Sequence, residues 1–216
     1  MDSKYNSVNY QRDMWIKCLE NHHGDQLYGY EWGDPLSTEA RNKPGQILGN
    51  YRRILNDYLL PNIVGKKVVD IGCLGGKWVY FMKEAASIIC VDLNERAFDH
   101  IKAKLPDYPL SFYKTSGDDL TGIPGATVDF VLSMDSLVRS ETTIIHCYMH
   151  ELKRVLKDTG KACLHLPCQD QHLSWELGFT PLSKAQIESM ANSAGLVNFR
   201  IDTETVNHGI LLLVNL

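Results

Sequence analysis

The sequence predicts a doubly wound α/β fold: one mostly parallel sheet, helices on both faces, and an antiparallel strand at its end. Three features predict it. Short apolar, β-branched stretches alternate with amphipathic stretches of helical period from residue 66 to residue 195, a pattern that specifies parallel strands joined by crossover helices. A glycine cluster, Gly72, Gly75 and Gly76, follows the first apolar stretch directly, where a strand turns towards a helix and lets a ligand approach the backbone. The last two apolar stretches are separated only by "NHG", too little chain for a parallel crossover.

The elements follow in order. Residues 1–45 carry no strand pattern; "YGYEWGDPLSTEARNKPG" is rich in turn formers and aromatics and reads as an appended cap. Residues 46–216 hold the sheet. In "PGQILGNYRRILNDYLLPNIVG", Ile47, Leu48, Tyr51, Ile54, Leu55, Tyr58 and Leu59 recur at helical spacing, and Pro61 and Gly65 close the helix. "KKVVDIGC" is a buried strand, and Gly76 to Ala86 is predicted as a helix with Trp78, Val79, Phe81, Met82 and Ala85 on one face. "SIICVDLN" is the second strand, "ERAFDHIKAKL" an exposed amphipathic helix stopped by Pro106, "PLSFYKTSG" the third strand and "TVDFVLSMD" the fourth. "ETTIIHCYMHELKRVLKD" is a helix, with Gly160 expected as its C-cap glycine, and "KACLHLP" is the fifth strand. "PLSKAQIESMANSAG" is a helix with Ser183 as N-cap and Gly195 beyond its end. "VNFRIDTETV" and "GILLLVNL" are the closing antiparallel pair.

Composition narrows the function classes. A chain of 216 residues with 44% hydrophobic and 22% charged residues buries an ordinary globular core. The formal net charge of −4 offers no field that would gather nucleic acid or anionic lipid. "MDSKYNSVNYQRDMW" lacks the apolar core of a signal peptide, and no apolar run approaches the roughly 18 residues of a membrane span. The six cysteines, Cys18, Cys73, Cys90, Cys147, Cys163 and Cys168, contain no CxxC pair. They read as free thiols of a cytoplasmic protein without nucleic-acid or membrane partners.

The glycine turn points to a ligand. In an open α/β sheet, ligands bind beyond the carboxyl ends of the strands where the strand order reverses. Asp70 ends the first strand and Asp92, 22 positions later, ends the second; an acid about 20 residues on is where a ribose diol is gripped. A dinucleotide turn reads GxGxxG and needs no acid ahead of it. Here Asp70 stands two residues before Gly72. A carboxylate there suits an ammonium group and repels a pyrophosphate.

At these residues the chain resembles the class I S-adenosylmethionine-dependent methyltransferases. "VVDIGCLGGKW" is similar to their first motif, (D/E)xGxGxG; "VDLN" to the acidic end of their second strand; "SGDDL…IPGATVDFVLSMDSLVR" to their third and fourth strands; and "YMHELKRVLKDTGKACLHLP" to the following helix and fifth strand. The resemblance covers about residues 45–216. It implies a Rossmann-like, seven-stranded sheet with the last strand antiparallel, and S-adenosyl-L-methionine as cofactor. By position it implies cofactor contacts at Asp70, Gly72, Leu74, Gly76, Asp92, Leu93, Gly117, Asp118, Asp119, Met134 and Asp135. The motif's middle glycine is Leu74 here, so the turn is expected to keep a negative φ or to shift. The acid that commonly meets the adenine amino group falls on Ser116, so the backbone around Gly117 is expected to replace it.

Methyl transfer is an in-line displacement, so the protein mainly aligns donor and acceptor and excludes water. A hydroxyl acceptor also needs a base. Asp135, His165 and His172 follow the fourth and fifth strands and are the candidate catalytic groups; His208, in the last turn, ranks behind them. His146 and His150 have the i, i+4 spacing of metal ligands, but no third ligand accompanies them and no metal is expected. Such enzymes fold N-terminal segments over the cofactor when the substrate is small. Tyr5, Tyr10 and Trp15 are the lid candidates, with Tyr28, Tyr30 and Trp32 further along, and their rings suit a sulfonium. The expected function is methyl transfer to an oxygen or nitrogen of a small-molecule metabolite. The alternatives are a nicotinamide-dependent oxidoreductase and a non-catalytic S-adenosylmethionine-binding protein.

Overall fold

A computed structural model describes residues 8–21 and 50–216. A seven-stranded sheet forms its centre, in the order β3-β2-β1-β4-β5-β7-β6. The strands are β1 Lys67–Ile71, β2 Ser87–Asp92, β3 Leu110–Lys114, β4 Val128–Ser133, β5 Leu156–Leu166, β6 Phe199–Asp202 and β7 Ile210–Asn215. The first five run parallel; β7 lies antiparallel between β5 and β6. The order reverses between β1 and β4, where Asp70 pairs with Leu132. That puts the ligand crevice beyond Asp70.

Alternation along the strands sorts the side chains into two layers. Val69, Ile71, Val131, Leu164 and Leu212 face one apolar layer with Ile145, Leu152 and Ile187 from the helices α4 Thr142–Val155 and α6 Lys184–Ser193. Val68, Cys90, Phe130, Leu132, Cys163 and Leu211 face the other, with Ile54, Leu59, Trp78 and, from α3 Glu95–Lys104, Phe98 and Ile101. His165 shares the parity of Cys163 and therefore points into the second layer.

Helix ends follow local chemistry. Asn94 caps α3 by accepting from the Arg96 N–H at 3.1 Å. Ser183 and Gln186 form a capping box on α6, and Gly195 follows with φ 78°, as expected. The Asp202 carboxylate accepts the N–H groups of Glu204 and Thr205, both at 2.9 Å, and this turn ends β6 early.

Three expectations are corrected. The predicted helix from Gly76 to Ala86 is only a 3₁₀ turn, Val79–Met82. Glycine at its start disfavours helix, and its far end bonds elsewhere: Glu84 O accepts from Gly65 N and Ala86 N donates to Lys66 O, both at 2.9 Å. Gly160 is not a C-cap glycine. α4 stops at Val155, β5 begins at Leu156, and the register shifts between Val128 and Phe130, so the 157–160 segment bulges from the strand. The helix predicted within residues 44–65 appears as α2 Tyr51–Arg53, a π turn Ile54–Leu59 and a 3₁₀ turn Leu60–Asn62 containing Pro61. A proline cannot donate the helical bond. Ile47 and Leu48 lie outside the described residues.

Candidate active site

The chain leaves β1 through left-handed backbone at Gly72, φ 76°. A Cβ there would overlap the Ser136 side chain, so glycine is required by contact as well as by φ. Of the two expected outcomes, a negative φ at Leu74 is not the one found: Leu74 adopts φ 33°. A leucine in this region costs roughly 1–2 kcal/mol, and strain of this kind persists only where the surroundings enforce it. Its N–H donates to Asp92 Oδ2 at 3.0 Å, and its side chain packs on the second apolar layer.

Two buried acids flank this turn. Asp92 also accepts the Asn94 N–H at 3.0 Å. Burial pushes its carboxyl up to about 6, against the pull of the N–H groups of Leu74, Asn94 and Leu93. Burial and then the Asp92 charge push Asp70 up to about 7, with Lys77 acting in the opposite sense. Both values lie above the ordinary carboxylate value, so the native state holds more protons than the unfolded chain between about pH 4 and 7. Stability therefore falls as pH rises through that window. Asp70→Asn is expected to raise the melting temperature at pH 8 and to leave it near wild type at pH 4.5. An equal shift at both pH values would show that Asp70 is not held in this way.

Beyond β3, the chain turns through Thr115 and Gly117, φ 120°, both on the cleft. Asp119 braces this turn. It accepts from Ser116 N at 3.0 Å, Thr121 N at 3.1 Å and the hydroxyls of Ser116 and Tyr113. Despite the burial that opposes it, these donors hold its carboxyl far below the carboxylate range. Asp118 accepts from Ser116 Oγ at 3.1 Å.

The far end of the cleft is built around Asp135, directly after β4, in left-handed backbone at φ 58°, which aspartate tolerates. His165, at the end of β5, donates through Nδ1 to Asp135 Oδ1 at 2.9 Å. His208, just before β7, places Nε2 3.5 Å from the same oxygen. Tyr51 Oη lies 3.2 Å from Oδ2, and Lys77 Nζ 3.6 Å from Oδ2. Burial opposes ionisation of Asp135, yet the two imidazoles and Lys77 hold it well below the carboxylate range. Burial pushes the Tyr51 phenol well up, and Asp135 adds to this; burial lowers His208 against the partial compensation of Asp135. Gly209 makes room for the cluster, since a Cβ there would sit 2.7 Å from His165 Nε2 and overlap Leu166 O. Tyr51 reaches the cluster because Asn50 N donates to Thr205 O at 2.8 Å and Tyr58 donates to Asp202 at 2.6 Å, tying this segment to the β6–β7 loop.

A helix closes the cleft from outside. α1 Val8–Glu20 brings Gln11, Arg12 and Trp15 to its edge. It is anchored by buried Leu19 and by an ion pair of Glu20 with Arg96. The Arg139 guanidinium stacks 5.1 Å from the Phe179 ring and 6.0 Å from the Trp15 ring.

Of the expected site residues, Gly72, Leu74, Asp92, Leu93, Gly117, Met134 and Asp135 line one cleft, with Trp15 at its edge. Asp70 lies buried beneath it, and Gly76 closes the turn by donating to Cys73 O at 2.8 Å. Asp118 and Asp119 brace the loop behind Gly117. His165 meets Asp135, whereas His172 lies exposed on α5 His172–Glu176, its Nδ1 3.7 Å from Glu176. Tyr10 is half-buried on α1; Tyr5, Tyr28, Tyr30 and Trp32 lie outside the described residues. His146 and His150 sit together on α4, ring centroids 4.7 Å apart, away from the cleft. Sequence reasoning missed Lys77, Trp78, Tyr51 and Tyr148. Lys77 and Trp78 stood inside the glycine motif; Tyr51 and Tyr148 carried only the signal of apolar helix positions.

Residues 68–160 match the family model of a methyltransferase domain. No curated protein matches the chain. Among solved structures, the chain is similar to a SAM-dependent methyltransferase from Aquifex aeolicus, at 16% identity and TM-score 0.60, over 78% of this chain and 89% of that one. It is similar to the PH0226 protein of Pyrococcus horikoshii, at 20% identity and TM-score 0.61, over 86% and 95%. A structure of the Haloferax volcanii Trm112 methyltransferase activator in complex with a methyltransferase also matches, at 17% identity and TM-score 0.58, over 72% and 84%.

Proposed function

We propose that this chain is a class I S-adenosylmethionine-dependent methyltransferase and that it methylates an oxygen or nitrogen atom of a small-molecule metabolite. S-adenosylmethionine is its cofactor. The residues present fit it. Asp92 offers a buried carboxyl group to a ribose diol, Gly72 and Gly117 give backbone access, and Asp70, buried beneath the cleft, is drawn to its charged form by a cationic amino-acid end. The bound sulfonium supplies an electrophilic methyl group.

The Asp135 cluster carries the reading. Asp135 is held anionic at one end of the cleft by His165, His208, Tyr51 and Lys77. A carboxylate so braced has little rotational freedom. It accepts the O–H or N–H of an acceptor, orients the lone pair, and offsets the positive charge that develops on a methylated amine. His165 is a positioning residue, since it acts through Asp135. Trp15 and Trp78 wall the same space, and excluding water strengthens each of these interactions. The acidic net charge supports a small acceptor rather than nucleic acid, and the free thiols support a cytoplasmic setting.

Methyl-labelled S-adenosylmethionine, incubated with the protein and a cell extract, tests the proposal. Label is expected in the small-molecule fraction; label confined to RNA or protein would overturn it. A second expectation concerns the lid. Trp15→Ala should raise the acceptor KM more than it lowers kcat, because the cluster is left intact while one wall is lost. Unchanged KM in a folded variant would remove α1 from the acceptor site.

A further inference from the structure

We infer that Tyr51, Asp135, His165 and His208 form a binding site for a divalent transition-metal ion of the Zn²⁺ type at the acceptor end of the cleft. The three strongest donors, Asp135, His165 and His208, have ligand atoms that all lie within 4.8 Å of one another. Both imidazoles address the same carboxylate oxygen, Oδ1, while Lys77 lies nearest the other, Oδ2.

The distances favour coordination over a hydrogen-bonded network. A phenol donating to a carboxylate should come within about 2.5–2.7 Å, yet Tyr51 Oη lies 3.4 and 3.2 Å from Asp135 Oδ1 and Oδ2. Tyr51 Oη and His208 Nε2 are 3.4 Å apart, and His208 Nε2 and Asp135 Oδ1 are 3.5 Å apart. A tetrahedral ion with bonds of about 2.0–2.1 Å holds its ligand atoms about 3.3 Å from one another. Only His165 Nδ1 to Asp135 Oδ1, at 2.9 Å, has the length of an ordinary hydrogen bond.

Burial sharpens this. The His208 side chain is 4% exposed and the His165 side chain 0%. Their outer nitrogens, His208 Nδ1 and His165 Nε2, are sealed from solvent and have no hydrogen-bond partner among the described residues. Each ring therefore commits its chemistry to the cluster centre through one nitrogen. A nearly buried imidazole with no polar partner nearer than 3.4 Å among the described residues is costly unless something else binds it. Two imidazoles, a carboxylate and a phenol suit Zn²⁺, Co²⁺ or Fe²⁺, not Mg²⁺ or Ca²⁺. Asp135 lines the cleft, so an ion and an acceptor reach the centre from that side.

The consequence for substrate rests on the methyltransferase reading. Tyr51, whose phenol is the weakest of the four donors, gives up its place on the ion to an acceptor hydroxyl, which then loses its proton to solvent near neutral pH. Its oxygen then forms the new O–C bond as the sulfonium S–C bond breaks, and the sulfur keeps the electron pair. The acceptor class is thus a hydroxylated small molecule rather than an amine.

Chelator-stripped full-length protein is dialysed against Zn²⁺ or Co²⁺. Stoichiometric uptake is expected, with intense visible Co²⁺ bands of tetrahedral type and no near-ultraviolet thiolate band. His208→Gln should weaken binding more than about 100-fold, beyond the effect of outer-shell changes; His146→Ala/His150→Ala should not. Sub-stoichiometric uptake by wild type, a thiolate band, or loss only in the His146/His150 variant would overturn the site. S-adenosylhomocysteine affinity, measured in the same metal-free samples, reports on the methyltransferase reading separately.

Discussion

Asp135→Asn is expected to lower turnover by roughly 10²–10⁴-fold, the scale of losing a positioned proton acceptor. The asparagine keeps the shape and one acceptor oxygen but removes the charge that His165, His208, Tyr51 and Lys77 surround. Asp135→Ala would be a poorer test. It removes both acceptor oxygens together with the charge, so it does not isolate the charge. S-adenosylhomocysteine affinity should stay within a few-fold of wild type, since the charge acts on the acceptor. Single-turnover methyl transfer separates the two: loss of cofactor affinity with an unchanged rate would place Asp135 on the cofactor alone.

The second large effect is at Asp92. Asp92→Ala should weaken cofactor binding by roughly 1–3 kcal/mol, the scale of charge-assisted hydrogen bonds to a diol. The structure adds a second source for this loss. Asp92 also holds the Leu74 N–H, and with it the left-handed turn. Titration of the variant with adenosine and with S-adenosylhomocysteine should show similar losses, because both carry the ribose. Unchanged affinity in a folded variant would show that the diol is held elsewhere.

Asp70 and Asp92 were legible in the sequence because each ends a short, nearly continuous apolar run, and the glycines mark the turn after the first. Asp135 and His165 were legible for the same reason, each at the end of an apolar strand. His208 was visible only as a turn residue, because its meeting with Asp135 depends on β7 inserting between β5 and β6. Tyr51 read as one more apolar helix position. Its approach to Asp135 comes from the tie between its segment and the β6–β7 loop, a contact between distant stretches of chain. The helix expected after the glycine turn was misread for a comparable reason. Its apolar face is genuine, but Gly65 and Lys66 capture the backbone groups at its far end. No periodicity in a single sequence reports such a capture. Leu74 was anticipated as a departure, but not the direction in which the backbone would resolve it.

The most direct test of the account is a crystal structure with S-adenosylhomocysteine bound. The ribose hydroxyls should donate to Asp92, and the sulfur should face the space bounded by Asp135 and Trp15. A sulfur turned away from Asp135, or a ribose without contact to Asp92, would contradict it.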